Sequence, residues 1–393
     1  MTTTMTTPQD TGAARLAVTA VAVGTFTVVT SEMLPVGLLT SIGTDLRVSE
    51  GTAGLTMTAP GLVAAGSAPL LTVAARRLDR RTVLSGLMAL LAAANLLAAL
   101  APAYPVLLGA RVLTGISIGG FWAFAFAMAG RLVPPSGAGR AVAVISSGIA
   151  VASVLGVPAG TLVSSLAGWR AAFAAVALLA AALCAALIRL LPPLPAERAG
   201  RLSDLGRVWR SGPLRIVLIV TALVVTGHFA AYTYVRPFLE QVAGTGAAAV
   251  SAILLGYGLA GVLGNFAAGA RVPRRPGPVL VTLAVLIGVA TVALPPVGAA
   301  GPVAAGALLL LWGVAYGGVS VTLQIWVGKA GGGEAGMALL TAVFNAAIAL
   351  GALAGGLVVD RVSISAVLWL GAGLALVSAG VAGIGGRRTT NGS

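Results

Sequence analysis

The sequence predicts an all-α membrane protein with twelve transmembrane helices in two pseudo-symmetric six-helix bundles, both termini cytoplasmic. Three observations predict it. The chain of 393 residues is 58% hydrophobic and only 9% charged, with a mean hydropathy of +1.02, whereas soluble domains carry about 25% charged residues. Apolar runs of about 20 residues, each long enough to span a bilayer as a helix, recur along the whole length. The basic residues cluster between alternate runs.

Polar, proline or glycine punctuation bounds each segment. The first, 16–39, follows the polar leader MTTTMTTPQDTGAAR and is too long for a signal-peptide core; it is read as a retained helix. The second, 52–74, stops at the basic run ARRLDRR. The third, 83–101, stops at APAYP, and the fourth, 105–128, at RLVPP. Segments five and six, 140–163 and 170–191, are separated by Gly168-Trp169-Arg170. The longest polar stretch then follows, LPPLPAERAGRLSDLGRVWRSGP, and supplies a linker over 192–213 between bundles at 1–191 and 214–393. The second set is 214–236, 248–270, 278–296, 301–327, 335–358 and 364–385.

Charge fixes the orientation. With the N-terminus inside, nineteen of the 24 basic residues fall in inner loops and ends, including Arg76, Arg77, Arg80, Arg81, Arg131, Arg140, Arg271, Arg274, Arg275 and Lys329. Four fall outside (Arg47, Arg170, Arg236 and Arg361), and Arg111 lies within a helix. This asymmetry follows the positive-inside rule. The net charge of +14 is therefore topological, and no nucleic-acid partner is needed to explain it.

The halves also repeat. Val29-Thr30-Ser31-Glu32 matches Val225-Thr226-Gly227-His228. Gly115-x-x-x-Gly119-Gly120 matches Gly313-x-x-x-Gly317-Gly318, and Gly156-x-x-x-Gly160 matches Gly351-x-x-x-Gly355. All three offsets lie near half the chain length, which is the pattern of transporters that bind their solute near the midplane between repeats. The lone cysteine, Cys184, excludes an intramolecular disulfide. No His/Cys cluster suggests a metal, and no GxxxxGK[ST] loop suggests ATP, so no cofactor is expected and the chain does not read as an enzyme.

The sequence resembles the major facilitator superfamily, in its twelve-helix drug:proton antiporter branch. The resemblance is carried by the loop ARRLDRRTVL (75–84), by LLGARVLTGISIGGFWAFAFA (107–127) with its membrane arginine, and by SSGIAVASVLGVPAG (146–160) with its glycine-proline motif. EMLPVGLLTSIGTDLRVSEGTAG (32–54) and GHFAAYTYVRPFLEQVAG (227–244) are similar to bacterial sugar and purine-nucleoside efflux permeases and to chloramphenicol-type exporters. The resemblance implies the major facilitator fold, a basic gating loop at Arg76, Asp79, Arg80 and Arg81, and an antiporter motif at Gly148, Gly156, Pro158 and Gly160. The family's loop motif carries an acid where Arg76 stands, so Asp79 is the substitute acid for a charge lock to neighbouring helix ends.

Glu32, Arg111 and His228 are the ionisable residues deep inside predicted helices. An ionised carboxylate there costs on the order of 2.5–3.5 kcal/mol on insertion scales, and such residues are functional by default. Glu32 lies roughly 24 Å along an inside-to-outside helix, and Arg111 about 9 Å below the outer end of its own, at 1.5 Å per residue. Those depths match, and in the resembling fold both helices border the central cavity, so a Glu32–Arg111 pair is expected. His228 occupies the position of Glu32 in the second half. Together they form the expected proton-coupling set. Met33, Trp122, Phe126, Tyr232, Gln324 and Asn345 offer aromatic, thioether and amide groups for a substrate cavity.

The reading is proton-coupled efflux of a small organic solute by alternating access, from a monomer in the bacterial inner membrane. Its partners are the solute, protons and the lipid bilayer. The alternatives are an inward symporter or uniporter, and a non-transporting membrane receptor on the same fold.

Overall fold

A computed structural model describes residues 11–125, 128–134, 137–195, 211–272 and 275–390. It is all helical, in the order α1 (Thr11–Met33), α2 (Leu39–Leu46), α3 (Glu50–Ala74), α4 (Arg80–Ala99), α5 (Tyr104–Ala125), α6 (Ala129–Leu132), α7 (Ala138–Ala167) and α8 (Trp169–Leu190). The second half follows with α9 (Gly212–Tyr232), α10 (Val235–Gln241), α11 (Ala247–Arg271), α12 (Pro276–Gly298), α13 (Pro302–Lys329), α14 (Gly333–Arg361) and α15 (Ile364–Thr390). Eleven stretches of the described residues are long and apolar enough to cross a membrane. The other long helix is α3, which runs for 25 residues. Most of the linker expected over 192–213 lies outside the described residues.

The first and seventh segments are not single helices, as the hydropathy alone suggests. α1 ends at Met33, passes through a 3-10 turn at Leu34–Gly37, and resumes as α2. α9 ends at Tyr232 and resumes at Val235 as α10. Proline explains both breaks. Pro35 and Pro237 have no N–H for the carbonyls four residues back, Ser31 and Thr233, so the α-helical hydrogen-bond ladder is interrupted at each. Pro237 instead sits in the first turn of α10, where a missing donor costs little.

Glycine faces set the packing within each half. A side chain on Gly115 or Gly119 of α5 would strike the backbone of α3 at Pro60 or Ala64, and one on Gly313 or Gly317 of α13 would strike α11 at Tyr257 or Gly261. In the same way Gly156 of α7 lies on α1 at Thr30, and its counterpart Gly351 of α14, with Gly355, lies on α9 at Thr226 and Ala230. Equivalent glycines in the two halves therefore bring equivalent helices to backbone contact, as small residues do in membrane bundles.

Between the halves there are two principal seams, α3 against α14 and α7 against α11. Along α14 the side facing α3 is buried at Gly356, Ala352 and Ala349, half-buried at Asn345, and exposed at Thr341. The seam is closed at the end holding α2 and α10 and opens toward the other.

Candidate transport site

Proline creates the first site feature, because the Ser31 carbonyl that Pro35 orphans still needs a donor. Arg111, fully buried on α5, provides it. Its Nη1 donates to the Ser31 carbonyl at 2.9 Å, its Nη2 to the Glu32 carbonyl at 3.2 Å, and its Nε to the Thr56 carbonyl at 2.9 Å. The guanidinium thus ties the broken tip of α1 to α3. The two residues expected to pair do meet, but through the backbone of Glu32 instead of its carboxylate. Three of its five donors go to backbone carbonyls, and its bond to Glu32 is made to the carbonyl.

The Glu32 side chain is left in an unusual position. Its residue is 5% exposed, and its Oε1 is buried without a hydrogen-bond partner. The hydroxyls of Thr30 and Thr58 are likewise buried and unpartnered. Beside them Ser31 and Asn95 bond each other, with Nδ2 of Asn95 at 2.9 Å from the Ser31 hydroxyl and 2.8 Å from the Leu91 carbonyl. Asn95 was missed from the sequence, although a lone amide in the apolar run of α4 is the kind of signal that marks a membrane polar site.

In the second half His228 sits in a different environment from Glu32. It is 1% exposed, and its Nδ1 accepts a hydrogen bond from the indole N–H of Trp312 at 3.1 Å. An accepting Nδ1 is unprotonated, so the neutral ring carries its proton on Nε2. The imidazole stacks on Tyr316 at 3.3 Å between centroids and on Tyr232 at 5.1 Å, with Phe229 edge-on at 4.8 Å. Tyr232 in turn stacks on Tyr257. The hydroxyls of Tyr257 and Tyr316 are buried without partners. The partners of His228 come from α9 and α13, whereas Glu32 and Arg111 are held by α1, α3 and α5. Trp312, Tyr316 and Tyr257 were not singled out from the sequence, though Trp312 and Tyr316 are one turn apart on α13.

The other expected cavity residues scatter. Met33 and Trp122 are half-buried, Tyr232 is buried in the aromatic cluster, Asn345 is half-buried with its amide on the Thr341 carbonyl at 2.9 Å, and Gln324 is exposed. Phe126 lies outside the described residues.

In the basic loop between α3 and α4, Asp79 is the N-cap of α4, accepting from the Arg81 N–H at 2.8 Å, and it also accepts from the Leu194 N–H beyond α8. Arg80 is buried, donates to the Ala75 carbonyl at 2.9 Å and lies 4.7 Å over the Phe124 ring. Arg81 is half-buried, and the side chain of Arg76 lies outside those described. Asp79 caps a helix, as short acids do, and binds the segment after α8 to it.

The glycines of the α7 motif face their own half. Gly148 packs on Ala22 and Phe26, Gly156 on Thr30, and Gly160 on Leu34, all in or just after α1. Pro158 is the part that serves the other half. It orphans the carbonyl of Val154, and Val154 is the residue against which Gly258 of α11 presses.

Comparison with known proteins agrees with this architecture. The sequence family described as Major Facilitator Superfamily matches residues 21–336. A relative from Pseudomonas aeruginosa, named "Transcription regulatory protein OpdE", is 37% identical over 372 residues, 92% of this chain and 91% of its own. Among solved structures, a point mutant of the nucleoside transporter NupG superposes with a TM-score of 0.74 at 14% identity, covering 96% of this chain and 99% of that one. A bacterial homolog of the human lysosomal transporter Spinster gives 0.69 at 15% identity, covering 98% and 99%. The human organic anion transporter MFSD10 gives 0.65 at 21% identity, covering 96% and 100%. The chain belongs to the Major Facilitator Superfamily and is a multi-pass membrane transport protein, not an enzyme.

Proposed function

We propose that this transporter exports a small organic solute in exchange for protons, with Glu32 as the proton-carrying group. The observation that carries the reading is the buried Glu32 Oε1 without a hydrogen-bond partner. A buried carboxyl in a membrane helix with an unpartnered oxygen is functional by default, and it can exchange a proton without breaking a hydrogen bond there. Arg111 bonds backbone carbonyls, so its hold on the tip of α1 does not depend on the charge of the acid. The energy source on this reading is the proton gradient, with no cofactor.

The bundles at 1–191 and 214–393 rock about the two seams. The positive-inside count puts the basic end in the cytoplasm and the closed end, with α2 and α10, outside, so the opening faces inward. A solute enters from the cytoplasm or inner leaflet toward Met33, Trp122, Asn345 and the ring cluster around Tyr232 and His228. The resemblance of the α7 motif to antiporters favours export over uptake, in a bacterial inner membrane and from a monomer.

A second reading follows from the name of the P. aeruginosa relative: a membrane receptor that signals without moving solute. The two separate on Glu32. Efflux of a panel of drugs, nucleosides and sugars from an efflux-deficient host is expected to collapse when the proton gradient is dissipated and in Glu32→Gln. Full gradient-driven efflux by Glu32→Gln overturns the role of the acid, and no efflux of any solute by the wild type favours the receptor.

A further inference from the structure

The closed end is held by side chains of the second half that reach backbone and side-chain polar groups of the first. Asp360, at the end of α14, accepts from the Ser49 hydroxyl at 2.7 Å and from the Gly51 N–H at 3.0 Å. Ser49 itself caps α3 by accepting from the Thr52 N–H at 3.0 Å, so the carboxylate completes the cap of a helix in the opposite half. Gly51 has no room for a side chain, because the Gly356 carbonyl and the Asp360 carboxyl occupy that space. On the other side, Arg236 of α10 is buried, is braced by Glu240 at 2.8 Å, and donates from Nη1 to the Gly37 carbonyl in the 3-10 turn after α1. Gln241 reaches Glu50 beside it.

We propose that Asp360 and Arg236 are the positioning residues that decide which end of this transporter is open. The inference rests on the alternating-access reading but not on the identity of the solute or on coupling to protons. Asp360 completes a first-turn cap that lacks one acceptor, and Arg236 closes on the carbonyl end of a broken helix, so the two opposite charges fit the two opposite helix polarities. Neither grip neutralises a charge on the facing half. When the end opens, water replaces the lost partner on each side, and the bonds can form and break repeatedly without stranding a buried charge. Apolar surfaces alone would hold this end without choosing a register. The two grips sit on different helix pairs, and losing both frees α3 from α14 and α1 from α10 together.

The test uses the full chain with Cys184→Ala, which leaves no native thiol. Thr58→Cys reports the closed end, because Thr58 is 4% exposed two turns inward from Gly51. Asn345→Cys, half-buried on the open side, reports the other. Maleimide labelling rates of purified protein are expected to rise about tenfold or more at Thr58→Cys in Asp360→Ala and in Arg236→Ala, the scale of a lost charge-assisted hydrogen bond, while falling at Asn345→Cys. Asp360→Glu, which keeps the acceptor, is expected to restore much of the original pattern. An unchanged rate at Thr58→Cys overturns the proposal, and so does a rise at both reporters, which is unfolding. Labelling needs neither gradient nor solute, so failure of proton coupling in Glu32→Gln leaves this result standing, and the reverse holds as well.

Discussion

The guanidinium of Arg111 and the carbonyl of Ser31 meet at 2.9 Å, and the bond fills the place left by the N–H that Pro35 lacks. The partnership makes a double-mutant prediction. Arg111→Leu is expected to destabilise the protein by about 1–3 kcal/mol for each carbonyl left buried and unsatisfied. Pro35→Ala restores a backbone donor for Ser31, so the same arginine substitution is expected to cost less in that background. Thermal unfolding of the four proteins in detergent measures the coupling, and strictly additive losses would refute the link.

His228 is the one histidine in the chain, so its nitrogen resonances need no assignment. The Trp312 indole donating to Nδ1 fixes the proton on Nε2. Nitrogen-15 NMR of the wild type is expected to show that single neutral tautomer, and Trp312→Phe is expected to show a mixture. A wild type already mixed between tautomers would contradict the bond.

Glycines make a paired prediction about packing. Alanine at Gly119 or at Gly317 meets backbone of the neighbouring helix and is expected to destabilise by about 1–3 kcal/mol. Gly109, on the same helix as Gly119, has open space around it, so Gly109→Ala is expected to be neutral or stabilising by up to roughly 1 kcal/mol. Melting temperatures of the three variants decide it, and equal losses at all three would show that close approach is not the cause.

At the closed end Arg170 beside Asp45 holds that carboxyl below the usual carboxylate range, with Trp169 adding a weaker bond. A depressed carboxyl stabilises the fold above its ordinary value of about 3.9 and loses that contribution as pH falls through its lower folded value. Both side chains are nearly half exposed, so the effect stays within about 1 kcal/mol. The stability difference between wild type and Arg170→Gln is expected to be flat from about pH 5 to 8 and to shrink only in more acid solution. A difference that changed between about pH 6 and 8 would point to another group.

Helices, their order and the glycine repeat were legible in the sequence because hydropathy and small-residue spacing act over many residues at once. The breaks after Met33 and Tyr232 were not read, although Pro35 and Pro237 stand at them, because the apolar runs continue through both. Depth along a helix correctly set Glu32 level with Arg111. It gave no way to choose between the carboxylate and the backbone carbonyl of the same residue, a choice that depends on which backbone groups the neighbouring helices leave unsatisfied. The stack of His228, Tyr232, Tyr257, Trp312 and Tyr316 draws on three helices, and no spacing along one of them announces it. Asp79 stands before the basic start of α4, and its role as that helix's cap went unread beside the loop's likeness to a gating motif.

The α3–α14 seam has a mechanical consequence. Gly51, Gly61 and Gly356 leave backbone and small groups facing one another there, with the Tyr234 ring seated against Gly54 and Gly356. Surfaces of that kind slide and part like the faces of a plain bearing, whereas interlocked leucines would have to unmesh like gear teeth. On the proposal above, the resting shape is then set by the polar bonds of Asp360 and Arg236 at the rim. A protein built this way can be retuned from one resting shape to another by single substitutions, without rebuilding its interior.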